Sequence, residues 1–340
     1  MKLNASDRAR LVRIIKRFSG TPIVMLGDLV ADEFVYGQIA RVSREAPVLI
    51  LKQREKQILP GGGANAANNL ADLGARVILA GAAGEDEAGD ALLRYFAGKG
   101  VETRLVLRPK EYRTPTKSRL LGAIGHGRPQ QIVRVDREPE APLDARLRRR
   151  LTQAASIQRA RGAAVLVSDY GYGATGPREI DWLRRSRGGQ KGQCPPITLD
   201  SRYDLRSYAG LTAATPNEQE MELAFSAEIG EKIEVLNRLA GQVLKRQRFQ
   251  ALLVTRGREG MMLYEPARAP QALSIFGSDQ VADVTGAGDT VIAVFTAALA
   301  VGAGFLDAAR LANCAGGLVV MKSGTATVTG RELAEAIQNA

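Results

Sequence analysis

Histidine is almost absent from this chain of 340 residues, where His126 stands alone. That excludes a His-rich zinc site and forces any Ser-His-Asp triad through one residue. The two cysteines, Cys194 and Cys314, make no disulfide framework, which predicts a reduced, cytoplasmic protein. The first twenty residues carry Lys2, Arg8, Arg10, Arg13, Lys16 and Arg17 without an apolar core, so no secretory leader is expected. Long hydrophobic runs are missing too. The longest uncharged stretch, 290–306, is short and rich in Ala, Gly and Thr, and reads as a buried helix, not a membrane span. Aromatic residues are only 5%, too few to show a stacking platform for nucleic acid.

What is present is ordinary globular composition, 45% hydrophobic and 24% charged, with 36 glycines that point to tight turns and close backbone approach. The net charge of +11 concentrates in 146–150 (RLRRR), 184–187 (RRSR) and 245–248 (KRQR). Each stretch lies in or beside a segment that fits a solvated helix face. Such faces, or attraction of a phosphorylated small substrate, explain the charge better than nucleic-acid binding does.

Along the chain, strand and helix alternate. Leu11, Ile14, Ile15 and Phe18 fall at helical spacing. Short apolar strands are predicted at 23–26, 77–80, 165–167, 197–199 and 251–255, with helices at 65–73 and 87–98. Continuous apolar strands separated by helices indicate an α/β fold with a mostly parallel sheet covered on both faces. A ligand in such a sheet sits at the carboxyl ends of the strands, here Asp28, Asp169, Asp200 and Thr255. Residues 34–52 and 104–137 break the alternation with β-rich pieces and no helices. They are expected to form a small separate sheet, a β lid, within a single domain covering 1–340.

The strongest chemical signal is 283–289 (DVTGAGD), followed by an uncharged helix. Gly286, Ala287 and Gly288 let the backbone aim its N–H groups at one point, and the helix dipole adds positive potential. That is an anion hole suited to a transferring phosphoryl group. Asp289 at its lip could take a proton from an attacking hydroxyl, and the helix N-terminus is expected to keep it ionised. The plain alternative is an N-cap aspartate. A second signal is 60–74 (PGGGANAANNLADLG), where Gly61 to Gly63 precede a small-residue helix carrying Asn65 and Asn69 on one face.

Together these two stretches resemble the paired signatures of the ribokinase-like (phosphofructokinase-B type) carbohydrate kinases, over about residues 24–328. Within that family the chain resembles the heptose-7-phosphate kinases, through 27–28 (GD) with Asp32, 40–47 (ARVSREAP), 116–119 (TKSR), 130–134 (QQIVR) with Asp136, 168–170 (SDY) and 215–220 (TPNEQE). The resemblance implies a three-layer ribokinase-like sandwich, with Asp289 as base and Gly286 to Gly288 as anion hole. It implies a sugar held by Asp28, Asp32, Gly62, Gly63, Asn65 and Asp169. ATP would meet Asn217, Glu220, Thr255, Gly257 and Asn313, with Mg²⁺ placed indirectly by Glu220. Asp283 and Thr285 resemble a monovalent-cation (K⁺) site. Two positions depart from the heptose kinases: Tyr172 stands where they carry lysine, and 200–202 reads DSR instead of Asp-Pro-Lys.

The expected reaction is phosphorylation of a sugar phosphate, at O1 of a heptose 7-phosphate. The basic lid residues Arg41, Arg44, Lys117, Arg119 and Arg134 would hold the phosphate already present. Open lid edges predict a homodimer. Kinases of ribose, fructose or a related sugar remain open, as does a sugar- or nucleic-acid-binding protein without turnover.

Overall fold

A computed structural model describes residues 3–123, 127, 129–185, 194–277, 283–322 and 324–340; His126, and residues 186–187 of the second basic run, lie outside them. The alternation read above becomes α1 (Ala5–Lys16), β1 (Pro22–Val42), β2 (Leu49–Gly61), α2 (Gly62–Asp72), β3 (Arg76–Ala82) and α3 (Glu87–Gly98). There follow β4 (Glu102–Leu107), β5 (Thr116–Ala123), β6 (Gln130–Arg137), α4 (Ala145–Ala160), β7 (Ala164–Asp169), α5 (Pro177–Arg185), β8 (Ile197–Ser201) and β9 (Ala213–Ala214). The chain closes with α6 (Glu218–Phe225), α7 (Ile233–Gln247), β10 (Ala251–Thr255), β11 (Met261–Tyr264), β12 (Gln271–Leu273), α8 (Ala287–Ala300), α9 (Phe305–Val319) and α10 (Gly330–Gln338).

The main sheet runs β12-β11-β10-β9-β8-β7-β1-β3-β4, parallel from β10 to β4 with β11 and β12 antiparallel at one edge. Strand residues alternate between two cores, as a period of two demands. Ile23, Met25 and Leu253 join Leu11, Phe18, Leu70 and Phe295 on one face, while Val24, Leu26 and Leu252 join Leu151, Leu236 and Val243 on the other. Helices therefore cover both faces, which is the three-layer arrangement. Residues 290–306, read as a buried helix, supply most of α8, whose side chains from Asp289 to Leu299 are all buried. No helix among the described residues is long and apolar enough to cross a membrane.

The lid is β2-β1-β5-β6, and it is not separate. β1 runs unbroken for 21 residues, pairing with β3 and β7 through its first part and with β2 and β5 through the rest. Residues 102–107, by contrast, form β4 on the edge of the main sheet, so the lid proper begins at β5 and takes in β2 as far as Gly61. The basic runs behave as solvated helix faces: 146–150 lie in α4, where Arg148 bonds Glu179, and Lys245 and Arg246 end α7, where cations suit the dipole.

Candidate active site

The end of β1's main-sheet segment at Asp28 and the carboxyl ends of β7, β8 and β10 meet the N-termini of α2, α6 and α8. Gly286, in the left-handed region at φ +78, is the N-cap of α8, so Asp289 falls in the helix's first turn and makes no capping bond. A Cβ on Gly286 would come within 2.6 Å of Asn65 Nδ2. That close approach lets Asn65 donate to Asp289 Oδ2 at 2.8 Å, while the Tyr170 hydroxyl donates to Oδ1 at 2.8 Å. Asn69 donates to the Asn65 carbonyl and accepts from Thr290, tying α2 to α8. Asp289 is 4% exposed, and burial pushes its carboxyl up to about 7 despite those two bonds. Desolvation thus outweighs the helix terminus, contrary to the expectation of a carboxylate ionised throughout the neutral range.

A cleft of about 460 Å³ opens beside Asp289, lined by Tyr170, Asp200, Arg202, Thr215, Asn217, Glu220, Thr255, Gly286 and Gly288. An apolar slot of about 200 Å³ continues from it through the shared Thr255, Val284 and Gly288 to Met261, Ile275, Val291 and Asn313. Asn313 is fixed by its bond to the Ser274 carbonyl, and Gly257 lines the same slot. Asn217 and Glu220 form a reciprocal capping box on α6, each accepting a backbone N–H of the other residue. Burial pushes the Asp200 and Glu220 carboxyls up, and Glu220's charge adds to the effect at Asp200. Two buried carboxylates facing a cleft fit a Mg²⁺ held through water together with substrate phosphates. No cluster of three or more metal-binding side chains occurs among the described residues. Asp283 accepts from the N–H groups of Thr285 and Gly324 and so pins two loops together.

Several of the expected sugar ligands are occupied otherwise. Asp28 is fully buried, and its oxygens accept from the backbone of Tyr170, Tyr172 and Ala174, so it organises a loop and is closed to a ligand. Asp169 is likewise buried, bonded by Gly171, Ser201 and Tyr208. Asn65 serves the base, as described. Gly62, at φ +50, makes room for the Tyr170 ring, which a Cβ would approach to 3.1 Å, and Gly63 lets α2 close on the Asp28 carbonyl. Asp32 is bonded to Arg119 at 2.6 Å, and Lys117 lies near the Tyr172 hydroxyl and Asp136. Arg134 is half exposed and paired with Asp136, and Arg41 and Arg44 lie exposed toward the lid's far end.

Sequence reading placed Asp200 at a strand end where a ligand would sit but gave it no chemical role, and it left Tyr170 and Arg202 without one. Their place just past or at the ends of β7 and β8 was the available signal.

Comparison with known proteins identifies the family. Residues 28–330 match the pfkB family carbohydrate kinase model. The bifunctional protein HldE of Pelobacter propionicus is 36% identical over 97% of this chain and 66% of its own length. That of Geobacter metallireducens is 38% identical over 91% and 61%. The chain thus spans somewhat under two thirds of these relatives. Phosphofructokinase-2 from Escherichia coli, in complex with potassium, superposes with a TM-score of 0.75 at 17% identity, over 94% of this chain and 99% of that one. Arabidopsis thaliana ribokinase, complexed with ribose and ATP, gives 0.70 at 21%, with the same coverage. The chain belongs to the pfkB family of carbohydrate kinases.

Proposed function

We propose that this kinase uses ATP and Mg²⁺ to phosphorylate a sugar phosphate, at O1 of D-glycero-D-manno-heptose 7-phosphate. The observation that carries the reading is Asp289, a buried carboxylate clamped at both oxygens in the first turn of a helix whose N-cap is a glycine. A proton acceptor with a pKa near 7 suits general-base work at neutral pH. The sugar hydroxyl loses its proton to Asp289, its oxygen bonds to the γ-phosphorus, and the bond to the bridging oxygen of ADP breaks. Backbone at 286–288 receives the charge spread over the transferring group. Asp200 and Glu220 would hold Mg²⁺ through water, and the ion neutralises the phosphates when bound. Adenine fits the apolar slot between Thr255 and Asn313. Asp283, with Thr285, is the candidate for a monovalent cation.

The domain reading is a single catalytic unit over 1–340 carrying its lid within it. The lid supplies the phosphate recognition: Lys117, near Asp136, and Arg119, on Asp32, are mostly buried, whereas Arg134 is half exposed. Because Arg119 already holds Asp32, an incoming phosphate must share it. Two charge-assisted contacts of ~1.5–3 kcal/mol each correspond to roughly 10²-fold or more in kcat/KM. ADP release measured for free heptose and heptose 7-phosphate, at low and high salt, tests this; the ester should be preferred by that margin. Equal kcat/KM for the two, or preference for an unphosphorylated pentose or hexose, overturns the heptose assignment and leaves a sugar kinase. No ADP release with any sugar would favour a binding protein.

A further inference from the structure

The loop after β7 has features that the phosphoryl-transfer chemistry above does not require. Gly171 and Gly173 both sit at φ +82, and between them the chain turns the N–H groups of Tyr170, Tyr172 and Ala174 inward. All three donate to the buried carboxylate of Asp28, at 2.8, 3.0 and 2.9 Å. Alternating ordinary and left-handed residues build such a concave nest for an anion. Here the anion is the chain's own side chain, at the end of the central strand's main-sheet segment. The nest fixes the backbone of Tyr170, and Gly62 leaves the space its ring occupies. The hydroxyl is thereby delivered to Asp289 Oδ1, opposite Asn65 on Oδ2.

We propose that Tyr170 is a positioning residue for the base, and that Asp28 acts through it by holding the loop. This rests on Asp289 being the base. With one hydrogen bond on each oxygen, the carboxylate plane cannot rotate, and a lone pair on each remains for the substrate proton. The hydroxyl also favours the ionised form, against the burial and the other carboxylates. The titratable groups facing Asp289 are Asp32 of β1, Asp200 of β8, Glu220 of α6 and Tyr170 itself.

Tyr170→Phe removes one oxygen and keeps the ring. The expected result is a fall in kcat of about tenfold near neutral pH with KM for sugar and MgATP within about twofold. The acid limb of kcat/KM should move up by about one to two pH units, so that activity recovers in alkaline buffer. Asp28→Asn puts an amide into the nest and should shift the limb the same way, which keeps a second readout if the first variant folds poorly. A pH profile superimposable on wild type in both variants, with Asp289→Asn inactive, overturns the positioning role alone. Full activity in Asp289→Asn overturns the base assignment instead.

Discussion

At Asp289 the decisive effect is the competition between desolvation and two hydrogen bonds, and desolvation wins. Its carboxyl, ordinarily at 3.8, titrates at about 7 in the folded chain. Between those values the native state holds the proton more tightly than the unfolded chain does. The stabilisation is therefore complete at acid pH and lost as pH rises through about 7. Asp289→Asn should abolish most turnover, by roughly 10²–10⁴-fold, because the amide cannot accept the proton. The same variant should melt higher than wild type near pH ~8, and the gain should vanish near pH ~4. Calorimetry at the two pH values checks the sign. Turnover within about threefold of wild type would remove the base role.

Elements set what the glycines do. Gly286 at the N-cap of α8 needs its left-handed backbone, whereas Gly288 lies within the helix with open space where a Cβ would stand. Backbone strain is therefore no part of its role. Gly288→Val should fold with a melting temperature close to wild type, because valine's β-branching penalty in a helix is no larger than glycine's own. Its side chain would project into the junction of the cleft and the slot, so kcat/KM for MgATP should fall at least tenfold. Unchanged steady-state kinetics with MgATP would contradict the anion-hole assignment. The sequence revealed such elements unevenly. Helix 87–98 and strand 251–255 emerge with the bounds read from pattern, because apolar period and flanking glycine agree there. β1 was read as two unconnected pieces, 23–26 in the main sheet and the part from 34 onward in the lid, since Gly27, Asp28, Asp32 and Glu33 look like a loop. Each carboxylate is in fact buried against partners far along the chain: Tyr170, Arg119 and Ser118. β2 was read only as far as 52 for the opposite reason, as its middle, 52–57, is polar and exposed on both faces.

Across the whole molecule, the same partners explain why the site was only half legible. The α8 signature is contiguous and readable, but Asp28 and the nest around it are 142 to 146 residues apart, and no local pattern joins them. The lid's outer strand β6 is exposed along its length, with Ile132, Val133 and Val135 among its open apolar side chains. An unpaired, apolar edge invites a second copy. Sedimentation at micromolar concentration should give a dimer, and Val133→Lys with Val135→Lys should shift it to monomer. A fully active wild-type monomer under those conditions would sink the dimer.

The single strand shared by both sheets also governs how the protein can be cut and recombined. Lid and catalytic floor meet inside β1, with no connecting peptide between them, and of the lid's other strands β2 follows β1 directly while β5 and β6 return from a distant stretch of chain. A chimera that exchanges sugar preference between relatives cannot transplant the lid as one cassette. Its junctions must fall within β1 near Leu29, at the end of β2 near Gly61, and again on either side of β5 and β6, so that hydrogen-bond registry is inherited along with the side chains.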